Sequence, residues 1–121
     1  MPYQMWINGA YTASSSGNVI EVRNPATEEI IDTAPAGNAI DVECAVTAAQ
    51  TAFPAWKRMP AGQKAEMLHE VARKLTERTE EIARLLTLEG GKPLVENKDE
   101  MGWSAACFRY YAELGRNSRG R

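Results

Sequence analysis

The sequence predicts an α+β fold for its 121 residues, with short strands and hairpins over residues 1–37 and three helices over residues 38–116. The first part contains short β-rich runs separated by turn residues, whereas from Asn38 onward apolar residues recur three and four positions apart, which is the period of an α-helix. The length suits one small domain. We therefore expect a single segment over residues 1–121 that ends in a frayed tail at 117–121.

Two strand pairs are predicted in the first part of the chain. The runs QMWI and AYTA flank Asn8–Gly9, a dipeptide that is the strongest short-range signal for a two-residue hairpin turn. The runs VIEVR and IIDTAPA flank the turn residues NPATEE. Because an isolated pair of strands is marginally stable in water, each pair needs another layer to cover it.

Amphipathic helices are predicted to follow. The first begins at Asn38, whose side chain can accept the backbone N–H three residues on, and it carries Asp41 in its first turn, where the helix dipole favours a negative charge. Pro54 is expected to end this helix near Phe53. The second helix follows the segment MPAG, and its apolar stripe continues to Leu86.

The stretch LEGGKP at 88–93 connects the second and third helices. Gly90–Gly91 can adopt the left-handed conformation that ends a helix, and Pro93 suits the first position of the next one. A phosphate-binding loop is excluded here, because no strand precedes the glycines and the spacing G-x-x-x-x-G-K-[ST] fails. Pro93 also stands where the magnesium-binding Ser or Thr of such a loop would be.

The third helix has apolar residues on opposite sides. One stripe consists of Trp103, Ala106, Cys107, Tyr110 and Leu114, and the other of Met101, Ala105, Phe108 and Ala112. A helix of this kind is ordinarily buried all round, and the other predicted elements offer too little apolar surface to cover it. The sequence therefore indicates either assembly with further copies or a piece of a longer protein.

Composition and charge exclude several classes of function. The net charge of −2 argues against a nucleic-acid partner. The chain lacks both an apolar run near the ~20 residues that span a bilayer and a signal-peptide layout, so we expect a cytoplasmic protein with no membrane partner.

Cys44 and Cys107 match no metal or redox spacing and are expected to pack as small apolar residues, while His69 is expected to be solvated.

Five stretches, taken in order, carry a resemblance to a known family. They are INGAY at 7–11, NPAT at 24–27, DVECAVTAAQTAFPAW at 41–56, LEGGKP at 88–93 and RYYAE at 109–113. Together they resemble the opening of an aldehyde dehydrogenase, and the resemblance covers residues 6–121. One departure is Glu28, which stands where the family commonly has a glycine.

The resemblance implies an α/β, aldehyde-dehydrogenase-like parent that uses NAD or NADP to oxidise an aldehyde to a carboxylic acid. In that family the catalytic and dinucleotide-binding residues come later in the chain, so no catalytic and no cofactor-binding residue is assigned here. We expect the 121-residue chain alone to be inactive and to bind neither NAD nor NADP. Its implied partners are the remainder of the dehydrogenase chain, the aldehyde substrate and further copies in a homo-oligomer.

The resemblance also suggests two sites. Trp103 stands where family members place a side chain on the wall of the aldehyde channel, with core packing as the alternative. Glu89, together with backbone carbonyls near Val22 and Arg23, resembles the set that binds a monovalent cation, Na⁺ or K⁺, in many members. A solvated glutamate at a helix end is the alternative for Glu89.

A second hypothesis from a different class is a non-enzymatic module. Since the residues supply no convincing set of nucleophile, base and orienting group, the surplus apolar helix surface could instead serve self-association or the binding of a partner helix. Continuation of the reading frame beyond Arg121 into a dinucleotide-binding region would favour the dehydrogenase.

Overall fold

Two small antiparallel sheets and four helices make up residues 3–117, the part of the chain that the structure, a computed structural model, describes. In chain order the elements are β1 (Met5–Ile7), β2 (Ala10–Thr12), β3 (Val19–Arg23), β4 (Ile30–Pro35), α1 (Ala39–Arg58), α2 (Ala61–Glu77), α3 (Thr79–Gly90) and α4 (Leu94–Arg116). The predicted α+β class is confirmed. The chain divides into two compact units, Met1–Arg58 with the sheets and α1, and Met59–Arg121 with the other helices.

Both predicted strand pairs are present in the first unit. Strands β1 and β2 pair antiparallel, and the turn between them places Asn8 at φ 52° and Gly9 at φ 77°, the two positive angles of a type I′ turn. Strands β3 and β4 also pair antiparallel, with an irregularity in register between Val22 and Arg23. The Asn-Gly signal therefore predicted the turn correctly.

The start of α1 is a reciprocal capping arrangement. The side-chain oxygen of Asn38 accepts the backbone N–H of Ile40 at 2.8 Å and that of Asp41 at 3.3 Å, which confirms the predicted cap. In return, Oδ2 of Asp41 accepts the backbone N–H of Asn38 at 2.9 Å. Each side chain satisfies a donor that the helix itself leaves unpaired.

Asp41 also ties the segment before β3 to the helix. Its side chain is buried, with a relative exposure of 7% for the residue. Oδ1 accepts the backbone N–H of Ser15 at 2.9 Å, and the Ser14 hydroxyl lies 3.2 Å from Oδ2. The pKa of Asp41 is lowered, first by the hydrogen bond from the Asn38 backbone and then by those from Ser15 and Ser14, against a desolvation penalty.

The predicted end of the first helix near Phe53 is wrong, because α1 contains Pro54 and continues to Arg58. A proline within a helix leaves the carbonyl four residues earlier without its N–H partner. Here that carbonyl belongs to Gln50, and both Gln50 and Pro54 are exposed, so water can take the place of the missing donor. The cost is then too small to stop the helix.

The prediction of three helices is also wrong, because the second predicted helix is two helices, α2 and α3, separated at Arg78. Arg78 leaves the helical region with φ −101° and ψ 15°. The Thr79 hydroxyl lies 3.2 Å from the Leu75 carbonyl and 3.0 Å from the Thr76 carbonyl. A threonine hydroxyl that bonds these carbonyls competes with the backbone ladder at the junction.

The second unit is held together by packing of α4 against α2 and α3. Within residues 3–117, the buried apolar residues all lie in these three helices: Ala65, Ala72, Ala83, Met101, Ala105 and Ala112. Five of these six are alanines, and such small side chains allow helix backbones to approach closely. The core is therefore thin and sensitive to added volume.

Polar pairs join α2 and α4 at the rim of this core. Nε2 of His69 lies 2.7 Å from Oε1 of Glu113, so His69 has a partner rather than being simply solvated as expected. This hydrogen bond is the main cause that lowers the pKa of Glu113, with Arg116 adding to it. Both side chains remain partly exposed, and solvent screening keeps the contribution of such pairs small.

Helix α4 ends at Arg116, as the sequence predicted. The backbone N–H of Asn117 donates to the Leu114 carbonyl at 3.1 Å and closes the last turn. The predicted frayed tail at 117–121 lies, from residue 118 onward, outside the described residues.

Candidate functional site

The two apolar stripes of α4 have opposite environments. On the inner side, Met101, Ala105 and Ala112 are buried against the second unit's other helices, while Phe108 of the same stripe is 36% exposed. On the outer side, the stripe of Trp103, Ala106, Cys107, Tyr110 and Leu114, called the outer stripe below, is exposed along its whole length. Among residues 3–117 the excess of apolar surface predicted for this helix is therefore left uncovered.

Trp103 lies at the N-terminal end of the outer stripe. It is 72% exposed, so it does not belong to the core of the described residues. Its indole borders an open groove of about 200 Å³ that is otherwise lined by charged residues: Lys92, Glu96, Asp99 and Glu100. Lys92 forms ion pairs with Glu96 and Glu100. This end of α4 thus combines one large aromatic face with a charged wall.

The turn between α3 and α4 is a helix stop, as the sequence predicted. Gly91 has φ 73°, and its N–H donates to the Thr87 carbonyl at 2.9 Å, which is a left-handed C-terminal cap. Pro93 is the N-cap of α4, and the first helical residue is Leu94, one position later than expected. The glycines end a helix rather than following a strand, which does not fit a phosphate-binding loop.

Asn97 secures this turn and was not identified from the sequence. It is buried, and its Nδ2 donates to Oγ1 of Thr87 at 2.9 Å and to the carbonyl of Lys92 at 3.3 Å. A buried amide of this kind must be hydrogen-bonded, and here it joins α3, the turn and α4. In the sequence, a polar residue early in α4, just after the glycines that end α3, could have indicated a side chain that bonds across the turn.

The two glycines of this turn should respond in opposite ways to alanine. Gly91→Ala is expected to destabilise the chain by about 1 kcal/mol, because only glycine adopts positive φ without strain. The matched control Gly90→Ala should be neutral or stabilise by up to about 1 kcal/mol, since Gly90 is helical and an added Cβ would meet no atom within 4 Å. Urea unfolding followed by circular dichroism measures both. Equal effects of the two substitutions would contradict the role of Gly91 as the cap.

The residues of the predicted cation site lie in two different units. Val22 and Arg23 belong to β3 in the first unit, and Glu89 is an exposed residue in the last turn of α3 in the second. Arg23 is engaged locally, since its guanidinium donates to the Glu28 carbonyl at 3.1 Å and pairs with Glu21. The monovalent cation site of Glu89, Val22 and Arg23 stays a prediction.

The turn between β3 and β4 contains the one departure from the family pattern noted in the sequence. Glu28 has φ 61°, a left-handed conformation that suits glycine. The turn is closed by the N–H of Glu28, which donates to the Asn24 carbonyl at 2.7 Å, and by the Asn24 side chain, which accepts the N–H of Ala26 at 2.9 Å. These bonds hold the turn in this geometry although a glutamate occupies the position.

The expectation that Cys44 and Cys107 pack as small apolar residues is wrong within the described residues, where both are exposed. Cys107 lies on the outer stripe of α4. Cys44 lies on α1 and borders an open groove of about 400 Å³ beside the first hairpin, together with Ile7 and Asn8. Apolar periodicity placed both thiols on apolar faces, but those faces are not covered by other described residues.

Residues 3–117 contain neither a cluster of metal-binding side chains nor a helix suited to cross a membrane. No group of three or more His, Cys, Asp or Glu side chains lies close enough together to hold a metal ion there. That result does not bear on the predicted monovalent cation site, which relies on carbonyl oxygens and one carboxylate. In the same residues no helix has the length and hydropathy that crossing a bilayer requires.

Known proteins resemble this chain in both sequence and structure. The sequence matches the aldehyde dehydrogenase family over residues 11–121. Aminoaldehyde dehydrogenase 2 of Zea mays is 44% identical over 115 residues, which cover 91% of this chain and 23% of that protein. The NADP(+) succinate-semialdehyde dehydrogenase GabD of Escherichia coli K12 is 35% identical over 117 residues, covering 97% of this chain and 24% of that one.

The structural comparison agrees. A crystal structure of a betaine aldehyde dehydrogenase point mutant from Staphylococcus aureus, in complex with NAD+, matches with a TM-score of 0.94 at 32% identity, over 98% of this chain and 24% of that one. The chain therefore spans about a quarter of the length of the relatives it matches. The resemblance seen in the five sequence stretches is confirmed, and the chain belongs to the aldehyde dehydrogenase family.

Proposed function

We propose that this chain is the N-terminal part of an NAD(P)-dependent aldehyde dehydrogenase that oxidises an aldehyde to a carboxylic acid. The observation that carries the proposal is the family match over residues 11–121. The names of its relatives support it further, since one is specified for NADP(+) and another was crystallised with NAD+. Because those relatives are about four times as long, the activity is assigned to the longer chain and not to these residues alone.

The described residues act as scaffold in this proposal. Their only glycine pair, Gly90–Gly91, ends a helix and does not fit a dinucleotide phosphate, so no residue here is assigned to the cofactor. When bound by the longer chain, the nicotinamide would accept the hydride that the aldehyde loses. The contribution of this chain to the reaction is then limited to shaping the place where the aldehyde lies.

Trp103 is the residue we assign to that place, as one wall of the aldehyde channel. Its 72% exposure leaves the indole face free to contact a substrate or the opposite wall of a channel. Helix α4 holds the Trp103 backbone in place, because Met101, Ala105 and Ala112 on the inner side of the same helix are buried. A large aromatic side chain fixed in this way would restrict the size and shape of the aldehyde.

Trp103→Ala in the longer enzyme is expected to change the preference between a bulky and a small aldehyde by roughly tenfold in kcat/KM, because the truncation widens the channel. The melting temperature should change little. Trp6→Ala is the matched control, since it removes the same side chain from the first hairpin, where Trp6 is 61% exposed and contacts Tyr11 edge to face. A large loss of melting temperature with unchanged substrate preference would instead support a packing role for Trp103.

The function itself is tested by assaying the reduction of NAD+ and NADP+ with a panel of aldehydes, for the longer chain and for residues 1–121 alone. Turnover by the longer chain only is the expected result, and turnover by the 121-residue chain would contradict the assignment of catalysis to later residues.

Replacing K⁺ and Na⁺ by choline in the same assay tests the cation prediction for Glu89, Val22 and Arg23. A stop codon after Arg121 and a stable dimer of the 121-residue chain would favour the self-associating module.

A further inference from the structure

The turn between β1 and β2 places an asparagine amide next to an unshielded backbone nitrogen. Asn8 and Gly9 are both exposed, and both have positive φ. Within residues 3–117 the Asn8 side chain forms no hydrogen bond with another residue. Gly9 has no Cβ, and no neighbouring atom lies within 4 Å of the place where one would stand. Both reacting groups of this turn are therefore open to each other and to water.

We propose that Asn8 is a site of spontaneous deamidation, a covalent modification that does not depend on the dehydrogenase assignment. The Gly9 backbone nitrogen attacks Cγ of Asn8 and loses its proton to water, while the Cγ–Nδ2 bond breaks and ammonia leaves. One water molecule then opens the succinimide ring that has formed. Attack of water on Cγ gives aspartate, and attack on the backbone carbonyl carbon gives isoaspartate, in which the chain continues through Cγ.

The folded turn controls the rate of this reaction. A residue in the left-handed conformation of a type I′ turn has its Cβ and the next backbone nitrogen on opposite sides of the Cα–C bond, so the ring closes only after the turn opens. Strands β1 and β2 pair over only three residues each. A hairpin of this size is marginally stable, so its opening requires little free energy.

Four other asparagines lack this combination of features. Asn24 precedes a proline, whose nitrogen carries no proton to lose. The side chains of Asn38 and Asn97 are held by hydrogen bonds, and Asn97 is also buried. Asn18 is exposed like Asn8, but the β-branched side chain of Val19 shields the nitrogen that follows it. Asn18 therefore provides an internal control within the same unit of the fold.

Each product would change the surroundings of the turn. Asn8 and Glu43 border the same open groove of about 400 Å³, so an aspartate at position 8 adds a second carboxylate there. Isoaspartate adds one backbone atom to a two-residue turn that sets the pairing of β1 with β2. That register places Trp6 opposite Tyr11, with ring centroids 4.6 Å apart. Loss of this aromatic contact is the expected result of isoaspartate formation.

Incubation of the purified 121-residue chain at mildly alkaline pH tests the site. Circular dichroism first verifies that the chain is folded, and the longer chain is used if it is not. Peptide mapping by mass spectrometry in heavy-oxygen water then measures each asparagine, and electron-transfer fragmentation distinguishes isoaspartate from aspartate. Asn8 should deamidate at least about tenfold faster than Asn18, because glycine leaves its nitrogen unshielded and valine does not. A rate at Asn8 no higher than that at Asn18 would overturn the proposal.

The same measurement in guanidinium chloride tests the contribution of turn opening. Asn8 in the folded chain should react slower than in the unfolded chain, but by no more than roughly 100-fold, because the hairpin opens easily. Protection of Asn8 by more than about 1,000-fold would show that the folded turn blocks the reaction, and it would overturn the assignment of Asn8 as a site in the native protein.

Two variants separate the structural effects of the products. Asn8→Gln keeps an amide but lengthens the side chain, so the five-membered ring cannot form and an aged sample should stay unmodified. Asn8→Asp supplies the new charge without the added backbone atom. The nuclear Overhauser effect between the Trp6 and Tyr11 rings should persist in both variants and be lost from the isoaspartate fraction of the aged wild type. Its persistence in that fraction would overturn the proposed effect on the hairpin.

Discussion

Replacing Asp41 with alanine is expected to lower the melting temperature of the 121-residue chain by about 5–10 °C. The carboxylate accepts the backbone N–H groups of Asn38 and Ser15, and the Ser14 hydroxyl lies within hydrogen-bond distance. Alanine leaves these donors without their partner at a position that is only 7% exposed. Thermal unfolding followed by circular dichroism measures the loss.

The stabilisation by Asp41 should depend on pH in a defined direction. Because the pKa of Asp41 is lowered from its usual value of 3.8, chiefly by the Asn38 backbone bond, the ionised form stabilises the folded state. That stabilisation is fully present above the unfolded value and is lost as the pH falls through the lower, folded value. The difference between wild type and Asp41→Ala should therefore shrink below about pH 4.

Asp41→Asn is the matched control. The amide keeps one acceptor oxygen and about the same volume, but its NH2 group would face one of the donors that the carboxylate accepts. It should therefore also lose stability at neutral pH, and because the amide does not titrate, the stability that remains should show little change of its own in acid. A gap between wild type and Asp41→Ala that stays constant from neutral pH to about pH 2 would contradict a role for the ionised carboxylate.

Asp41 also shows which part of the fold the sequence could predict. Its place in the first turn of α1 follows from local rules, and the spacing Asn38-x-x-Asp41 is a variant of the capping box. Its bonds to Ser14 and Ser15 join residues 26 and 27 positions apart, and no local pattern specifies such a pairing. The hairpin at Asn8–Gly9 and the cap at Gly91 were predictable for the same reason, since each depends on backbone angles that few residues adopt.

The helix boundaries that were wrong reflect small competing energies. Pro54 was expected to end α1, but an exposed carbonyl can exchange a lost helix bond for water. At Arg78 the opposite error occurred, since one continuous helix was expected and two were found. The apolar period continues across Arg78, while the Thr79 hydroxyl bonds the carbonyls of the preceding turn. Periodicity reports which face is apolar, and it does not report where the backbone ladder is interrupted.

The candidate site was predicted less completely than the fold. Trp103 was identified through the family resemblance, and its exposure could be expected only because α4 has apolar residues on two sides. The two cysteines show the limit of that reasoning, because an apolar stripe predicts burial only where another element covers it. Glu89, Val22 and Arg23 depend on contacts between distant parts of the chain, which one sequence does not specify.

Ala105→Leu is expected to destabilise the chain by about 1–3 kcal/mol. Ala105 is 1% exposed, and it lies on the face of α4 that packs against α2 and α3. Leucine and alanine have similar helix propensity, so the effect would come from the added volume and not from the helix itself. Because the surrounding core consists largely of alanines, the larger side chain can be accommodated only by moving a helix.

Ala106→Leu is the control, since it makes the same change one residue further along α4, on the exposed outer stripe. In the 121-residue chain it should alter the free energy of unfolding by no more than about 0.5 kcal/mol, as measured by urea denaturation. If both substitutions were neutral, the inner stripe would not be sealed by α2 and α3, and the contrast between the two sides of α4 would disappear. If Ala106→Leu were the more damaging of the two, the outer stripe would already be covered within residues 1–121.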